Sequence, residues 1–199
     1  MNSNYLYEYI NLMERILSVG YQYNCSTSAI ERAISYSSFF QNVEKDKNAI
    51  NVDSILIKEI YKELDVDLMK TPIYNQCLWA AEAYIRIQQA CRYTFELIFL
   101  YLPIKKMYDY FPLYHEMDFS QIIEEFKRLH KKESVLSLLV NKYKYSLVDI
   151  SNSVGIPYDS LYSLKQRRRD IKKCNIMQSA KLANILNIRI ETIAEIKLV

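Results

Sequence analysis

The chain has 199 residues and a formal net charge of +3, and this length fits one large domain or two small ones. Half of the residues are hydrophobic and a quarter are charged, which argues against a disordered chain. The longest apolar run, residues 97–104, is interrupted by Pro103 and is far too short for a membrane span. We therefore expect a globular protein with no membrane partner.

The predicted elements are helices almost throughout, because only two glycines and four prolines are available to break them. The first predicted helix has an apolar stripe at helical spacing, formed by Leu6, Ile10, Met13 and Leu17. Gly20 is predicted to end this helix as its C′ residue. Ser28 and Glu31 have the spacing of a capping box, which predicts the start of a second helix there.

The middle of the chain contains one ambiguous segment and one long predicted helix. Residues 52–64 are predicted to be helical, although residues 50–57 also fit a strand. Thr71 and Pro72 predict the start of the long helix, since proline is favoured in the first turn. The residues predicted to face inward from it are Trp79, Ala83, Ile87, Ala90 and Cys91.

Prolines and capping residues predict the bounds of the next helices. A helix over residues 94–102 is predicted to end at Pro103, and Pro112 is predicted to break the segment that follows. Asp118 and Ser120 can both cap the next helix. That helix carries the apolar residues Ile122, Ile123, Phe126 and Leu129.

A dense aromatic group lies between residues 93 and 114. Its members are Tyr93, Phe95, Phe99, Tyr101, Tyr108, Tyr110, Phe111 and Tyr114. Tyrosine combines a large contact area with a polar tip, so this group fits a dimer interface or a ligand pocket. It also fits the core of a helical bundle whose hydroxyl groups lie at the surface.

The sequence offers little for metal binding or catalysis. The cysteines are too widely separated for zinc-ligand spacing and are predicted to be free thiols: Cys25, Cys77, Cys91 and Cys174. His115 lies beside Glu116 and Asp118, but neighbouring residues of a helix point in different directions, as do Arg128 and His130. No nucleotide-binding or hydrolase motif occurs. We therefore predict no catalytic residue, no metal and no cofactor, and we expect that the protein is not an enzyme.

Charge is distributed unevenly along the chain. Residues 1–120 carry a balance of −4 and residues 121–199 a balance of +7. This asymmetry predicts that the C-terminal part meets a polyanion. The N-terminus has neither a basic region nor an apolar signal core, which predicts a cytoplasmic protein, associated with the nucleoid when bound. We predict an all-α fold with a helical bundle over residues 1–131 and a second domain over residues 132–199.

Residues 147–166 have the pattern of a helix-turn-helix. Ser151 is small where two helices would approach each other, and Gly155 suits the turn because it tolerates positive φ. Pro157 suits the first turn of the second helix. The apolar residues that would close the wedge are Ile150, Val154, Ile156, Leu161 and Leu164.

This segment resembles the helix-turn-helix of the Cro/C1 (Xre-like) repressor family. The resemblance extends over about residues 132–197, because residues 180–196 look like the fourth and fifth helices of that family. It implies a five-helix DNA-binding domain whose recognition helix spans residues 157–166 and enters the major groove. Repressors of this family usually act as dimers on paired half-sites, so a homodimer is expected.

The resemblance assigns two sets of DNA contacts. Exposed residues of the recognition helix are predicted to contact base edges: Tyr158, Asp159, Tyr162, Ser163 and Gln166. Cationic residues at and beyond its end are predicted to contact phosphates: Lys165, Arg167, Arg168, Arg169, Lys172 and Lys173.

The sequence thus predicts a sequence-specific regulator of bacterial or phage origin, namely a repressor that binds double-stranded DNA. In the alternative, the N-terminal bundle binds a protein partner, as an antitoxin or an inhibitor of a defence nuclease, and the helix-turn-helix serves autoregulation. Structured RNA is a third ligand that the basic surface permits.

Overall fold

The computed structural model describes residues 3–22, 25–45 and 74–198, and it is all-α. The first helices are α1 (Ser3–Gln22), α2 (Thr27–Tyr36), α3 (Ser38–Glu44), α4 (Tyr74–Cys91), α5 (Phe95–Tyr101), α6 (Ile104–Tyr114) and α7 (Phe119–Lys132). They are followed by α8 (Val135–Tyr143), α9 (Leu147–Val154), α10 (Tyr158–Lys165), a 3-10 turn (Ile171–Lys173), α11 (Ile176–Ile185) and α12 (Ile190–Ile193). The helix or strand predicted within residues 50–64 and the helix start at Thr71 and Pro72 lie outside the described residues.

Helix α4 is the centre of the N-terminal part and packs against α1, α6 and α7. Its buried residues Ala80, Ala81 and Ala83 are small, so neighbouring helices approach its backbone closely. Four of the five residues predicted to face inward are buried, namely Trp79, Ala83, Ile87 and Cys91. Ala90 is exposed, which contradicts its prediction, because no described element covers that side of the last turn.

The prediction that Gly20 ends the first helix is wrong, because α1 continues to Gln22. A Cβ atom at Gly20 would overlap the side chain of Ile30, so the glycine lets α1 and α2 pack closely. The predicted capping box is also absent. Helix α2 begins at Thr27, and Glu31 instead accepts a hydrogen bond from the backbone N–H of Ile104 at 2.8 Å.

The predicted break at Pro112 is wrong as well, because Pro112 lies inside α6. Proline lacks the N–H that would bond to the carbonyl four residues earlier, which here belongs to Tyr108. Gln76 of α4 supplies the missing donor, since its Nε2 lies 3.1 Å from that carbonyl oxygen. A side chain from another helix thus satisfies the group that the proline leaves open.

We expect Gln76→Leu to lower the free energy of unfolding by about 1–2 kcal/mol, because it strands a partly buried carbonyl. In a Pro112→Ala background the loss should shrink, since an alanine N–H at this position can donate to the same carbonyl. Chemical denaturation of the four proteins of this double-mutant cycle measures the coupling. Gln121→Leu, at an exposed position of α7, is the control. Equal losses in both backgrounds would contradict the compensation.

Two predicted caps have different outcomes. Helix α7 begins after Asp118, whose carboxylate accepts from the N–H of Ser120 at 2.8 Å, whereas Ser120 lies within the helix and does not cap it. Helix α5 begins after Thr94 and ends before Pro103, close to the predicted bounds.

The aromatic group of residues 93–114 forms much of the bundle core. Phe95, Phe99 and Tyr101 are buried. Tyrosine hydroxyl groups bond within the protein, from Tyr101 to the carbonyl of Glu133 at 2.6 Å and from Tyr110 to the Glu125 carboxylate at 2.9 Å. Of the two interpretations of this group, the structure favours the bundle core.

The four cysteines are free, with Cys77 and Cys91 buried. Within the described ranges, no cluster of acidic, histidine or cysteine side chains could hold a metal ion, and His115 bonds through Nδ1 to the carbonyl of Phe111. In the same ranges, no helix has the length and apolarity needed to cross a membrane.

The C-terminal helices α8–α12 share a continuous core with the bundle. Helix α5 packs against both α8 and α12, and a single cluster of buried side chains runs from Tyr9 to Ile193. Thr94 and Thr192 join the two parts through hydroxyl groups 2.9 Å apart. Only Glu133 and Ser134 separate α7 from α8, so the predicted domain boundary falls at a tight corner between helices.

Candidate nucleic-acid interface

The turn between α9 and α10 is built around Gly155. Its φ of 73° and ψ of 30° place it in the left-handed region, where a glycine is favoured, and its N–H donates to the carbonyl of Ser151 at 2.9 Å. The Ser151 hydroxyl donates to the carbonyl of Ile156 at 2.7 Å. Pro157 is the N-cap of α10 rather than part of its first turn.

Buried apolar side chains lie at the contact between α9 and α10. All the residues predicted to close this wedge are buried: Ile150, Val154, Ile156, Leu161 and Leu164. The polar turn and the apolar wedge therefore act together, and α10 presents its opposite side to solvent.

The exposed side of α10 carries most of the predicted base contacts. Tyr158 and Tyr162 are exposed, and their rings are stacked with centroids 6.3 Å apart. Asp159 and Gln166 are also exposed, and Gln166 is the C-cap residue just beyond the helix. Ser163 is half-buried, and its carbonyl accepts from the N–H of Arg168 at 2.9 Å.

A basic loop follows α10, and its cationic side chains Arg168, Arg169, Lys172 and Lys173 are exposed. Lys165, in the last turn of α10, is half-buried. The Asp170 carboxylate accepts from the N–H of Lys172 at 2.9 Å and so caps the 3-10 turn. Arg169 donates to the Ser160 hydroxyl at 2.9 Å, which ties the loop to α10. The loop therefore has a defined path and presents its positive charge beside the exposed side of α10.

Arg167 differs from its neighbours, because its guanidinium group bonds inside the protein. The residue has a left-handed φ of 55°. Its Nη1 lies 2.9 Å from Glu195, and its Nη2 donates to the carbonyl of Glu133 at 2.9 Å and to the Tyr101 hydroxyl at 3.2 Å. A third acceptor for Nη2 is the carbonyl of His130. Although predicted as a phosphate contact, Arg167 joins the end of α10 to the bundle.

The charges around Glu195 explain this anchor. The Nε2 atom of His130 lies 2.9 Å from the same Glu195 oxygen that Arg167 contacts. Burial acts to raise the pKa of Glu195, but the close contact with His130 and the positive charge of Arg167 outweigh burial and lower the pKa below its usual value. The Ser134 hydroxyl adds a bond to the carbonyl of Lys165 at 2.7 Å.

A second ionic anchor joins the C-terminal helices to α3. Arg189, just before α12, pairs with Glu44 of α3 at 2.8 Å. The other Glu44 oxygen accepts from the N–H of Phe95 at 2.6 Å, and Glu96 accepts from the N–H of Arg189 at 2.9 Å. Burial raises the pKa of Glu44 although Arg189 acts to lower it. No sequence signal identifies this pair, whose members are 145 positions apart.

Sequence reasoning also missed two apolar residues beside the interface. Ile176 and Met177, in the first turn of α11, are 74% and 64% exposed. The next residue, Gln178, donates to the carbonyl of Gly155 at 3.0 Å and holds this turn against the start of α10. The sequence signal that could have identified them is an apolar pair shortly after a basic loop.

Comparison of the chain with protein-family models, with curated proteins and with solved structures finds no match. The resemblance to Cro/C1 repressors therefore stays a prediction.

Proposed function

We propose that the protein is a sequence-specific regulator that binds double-stranded DNA, and that it is a binding protein rather than an enzyme. Helix α10 enters the major groove, where its exposed residues contact base edges. The basic loop holds the phosphate backbone beside this helix. As a repressor, it would act by occupying a promoter.

One observation carries this proposal. The exposed side of α10 lies directly beside four exposed cationic side chains, those of Arg168, Arg169, Lys172 and Lys173. A duplex offers phosphates within reach of such a loop whenever a helix lies in its major groove. The defined path of the loop supports contacts at fixed positions along the backbone.

We further propose that the protein acts as a homodimer in the cytoplasm and is associated with the nucleoid when bound. Two copies would place two α10 helices on half-sites about one helical turn apart. The N-terminal bundle is the larger part of the chain and supplies the surface for pairing.

A binding titration tests the function. The full chain is titrated with duplex from its own upstream region and with scrambled duplex, at two salt concentrations. A preference of about 10³-fold or more that persists at higher salt supports a regulator that reads sequence. Weak binding that ignores sequence and disappears with salt contradicts the proposal.

Single substitutions separate the two sets of contacts. We expect Arg168→Ala to weaken binding to all sequences and to reduce the slope of log affinity against log salt by about 1, because one phosphate contact is lost. Ser163→Ala or Gln166→Ala should mainly reduce the preference between sites. Lys105→Ala, at an exposed position of α6, is the control for loss of charge. Equal losses for every sequence in all three variants would contradict the assignment of α10.

A further inference from the structure

The exposed surface around α10 contains large apolar side chains in an otherwise basic region. We call this set the apolar patch, and its members are Tyr158, Tyr162, Ile176 and Met177. Most large apolar side chains in the described part of the chain are buried, so four exposed ones around α10 need a reason. Exposing them to water is unfavourable, and covering them on binding is favourable.

Local contacts bring the members of the patch together. The bond from Gln178 to the carbonyl of Gly155 holds the first turn of α11 beside the turn that precedes α10. Tyr158 begins α10 three residues beyond Gly155, and Tyr162 stacks on it one turn later. Ile176 and Met177 therefore lie on the element next to the turn from which the helix of the two tyrosines starts.

Charge around the patch indicates its partner. Lys172 and Lys173 precede Ile176 by only a few residues, and Arg168 and Arg169 follow α10 directly. Two acids lie nearby, Asp159 and Asp170. Asp170 uses its carboxylate to cap the 3-10 turn. A partner that covers this surface must offer apolar groups between rows of negative charge. Duplex DNA does so where thymines are present, because the thymine methyl group projects into the major groove between the phosphate backbones.

We propose that the apolar patch reads thymine methyl groups, so that the preferred site is rich in thymine where α10 lies in the groove. Tyr158 and Tyr162 cover methyl groups of the bases, and Ile176 and Met177 cover apolar groups beside them. This inference rests on the proposed DNA-binding function and adds the kind of base that the site recognises.

Replacing thymine with deoxyuridine tests the inference, because this exchange removes only the methyl group. Duplexes preferred by the full chain are selected from a random pool, and each thymine is replaced in turn. We expect affinity to fall about fourfold for each methyl group that the patch covers. At the position that Tyr162 covers, the Tyr162→Ser variant should bind the thymine and deoxyuridine duplexes equally well, whereas Met177→Gln should weaken binding to both duplexes by the same factor. Met117→Gln, at an exposed site after α6, should keep the wild-type difference.

The outcomes separate the two proposals. If no duplex is enriched by selection, the DNA-binding function fails and the inference fails with it. If selected duplexes bind tightly and deoxyuridine changes nothing at any position, the inference alone is overturned. It is also overturned if Tyr162→Ser and Met177→Gln alter the mass of the protein in sedimentation but not its DNA affinity, because the patch is then a contact between copies. Both variants change exposed side chains, and unchanged thermal unfolding verifies that they are folded.

Discussion

Replacing Arg189 with methionine is expected to lower the free energy of unfolding by about 3–5 kcal/mol, because it leaves a buried carboxylate without its counter-charge. The Glu44 side chain is 0% exposed and that of Arg189 is 9% exposed. Glu44 would keep its bond from the N–H of Phe95 but would lose its only close positive partner among the described residues. Denaturation of the wild type and of Arg189→Met gives the difference.

The pH dependence of this loss has a defined sign. The folded-state pKa of Glu44 is raised by burial, so its protonated form is favoured in the folded protein. The stability contributed by the protonated Glu44 carboxyl is present below pH 4.5, its ordinary pKa. It is lost as the pH rises through the raised pKa of the folded state. Without Arg189 the folded pKa rises further. The deficit of Arg189→Met should therefore be smaller at acid pH and should grow towards neutral pH.

Two further variants control this experiment. Lys127→Met breaks an exposed ion pair with Glu124 and should leave the unfolding midpoint unchanged. Combining Glu44→Gln with Arg189→Met should recover part of the loss, because the unpaired Glu44 charge is then removed. A deficit that is the same at acid and neutral pH would mean that the Glu44 charge is not its cause.

Arg167→Met is expected to cost about 2 kcal/mol of unfolding free energy, because charge-assisted hydrogen bonds to four acceptors are lost. The loss is smaller than at Arg189, since the Arg167 side chain stays 31% exposed and water screens its charge. In DNA titrations the slope of log affinity against log salt should stay at its wild-type value. Arg168→Met should show the opposite pattern, with unchanged stability and a reduced slope.

Acid should reduce the difference between Arg167→Met and the wild type. The folded-state pKa of Glu195 is lowered below 4.5, so this carboxylate contributes stability above that value and loses it as pH falls through the folded pKa. Once Glu195 is protonated, its attraction to Arg167 is absent in both proteins. A reduced salt slope in Arg167→Met would show that this residue contacts phosphate after all.

Local patterns in the sequence predicted much of the helical structure. The apolar stripe of Ile10, Met13 and Leu17 is buried in α1, and the cap at Asp118 is confirmed, because both depend on residues within one or two helical turns. Gly155 takes the left-handed conformation that a turn requires. Such features are local, so one sequence is enough to predict them.

The wrong predictions share a different origin, since a distant residue decides each of them. Pro112 stays inside a helix because Gln76 satisfies the open carbonyl. Glu31 does not cap its own helix because Ile104 takes its carboxylate. Gly20 packs against Ile30 instead of ending α1. In each case the sequence pattern was compatible with two structures, and tertiary contacts selected the less local one.

The candidate site shows the same limit. Arg167, Arg168 and Arg169 are three consecutive arginines that sequence patterns do not distinguish. Only the position of Glu195 near Arg167 shows that this residue is an anchor while the other two are exposed charges. The exposed side of α10 followed from helical spacing alone. The exposure of Ile176 and Met177 depends on how α11 packs, which the sequence does not specify.

The tight corner at Glu133 and Ser134 has a geometric consequence for any pair of these chains. Only Glu133 and Ser134 lie between α7 and α8, and two ion pairs join the C-terminal helices to the bundle, so several contacts fix the position of α10 against the bundle. If two chains pair through their bundles as proposed, their two α10 helices would be held at a fixed separation. Such a pair would bind both half-sites only when their spacing matches this separation. Inserting half a helical turn of DNA between the half-sites would turn one of them to the far side of the duplex.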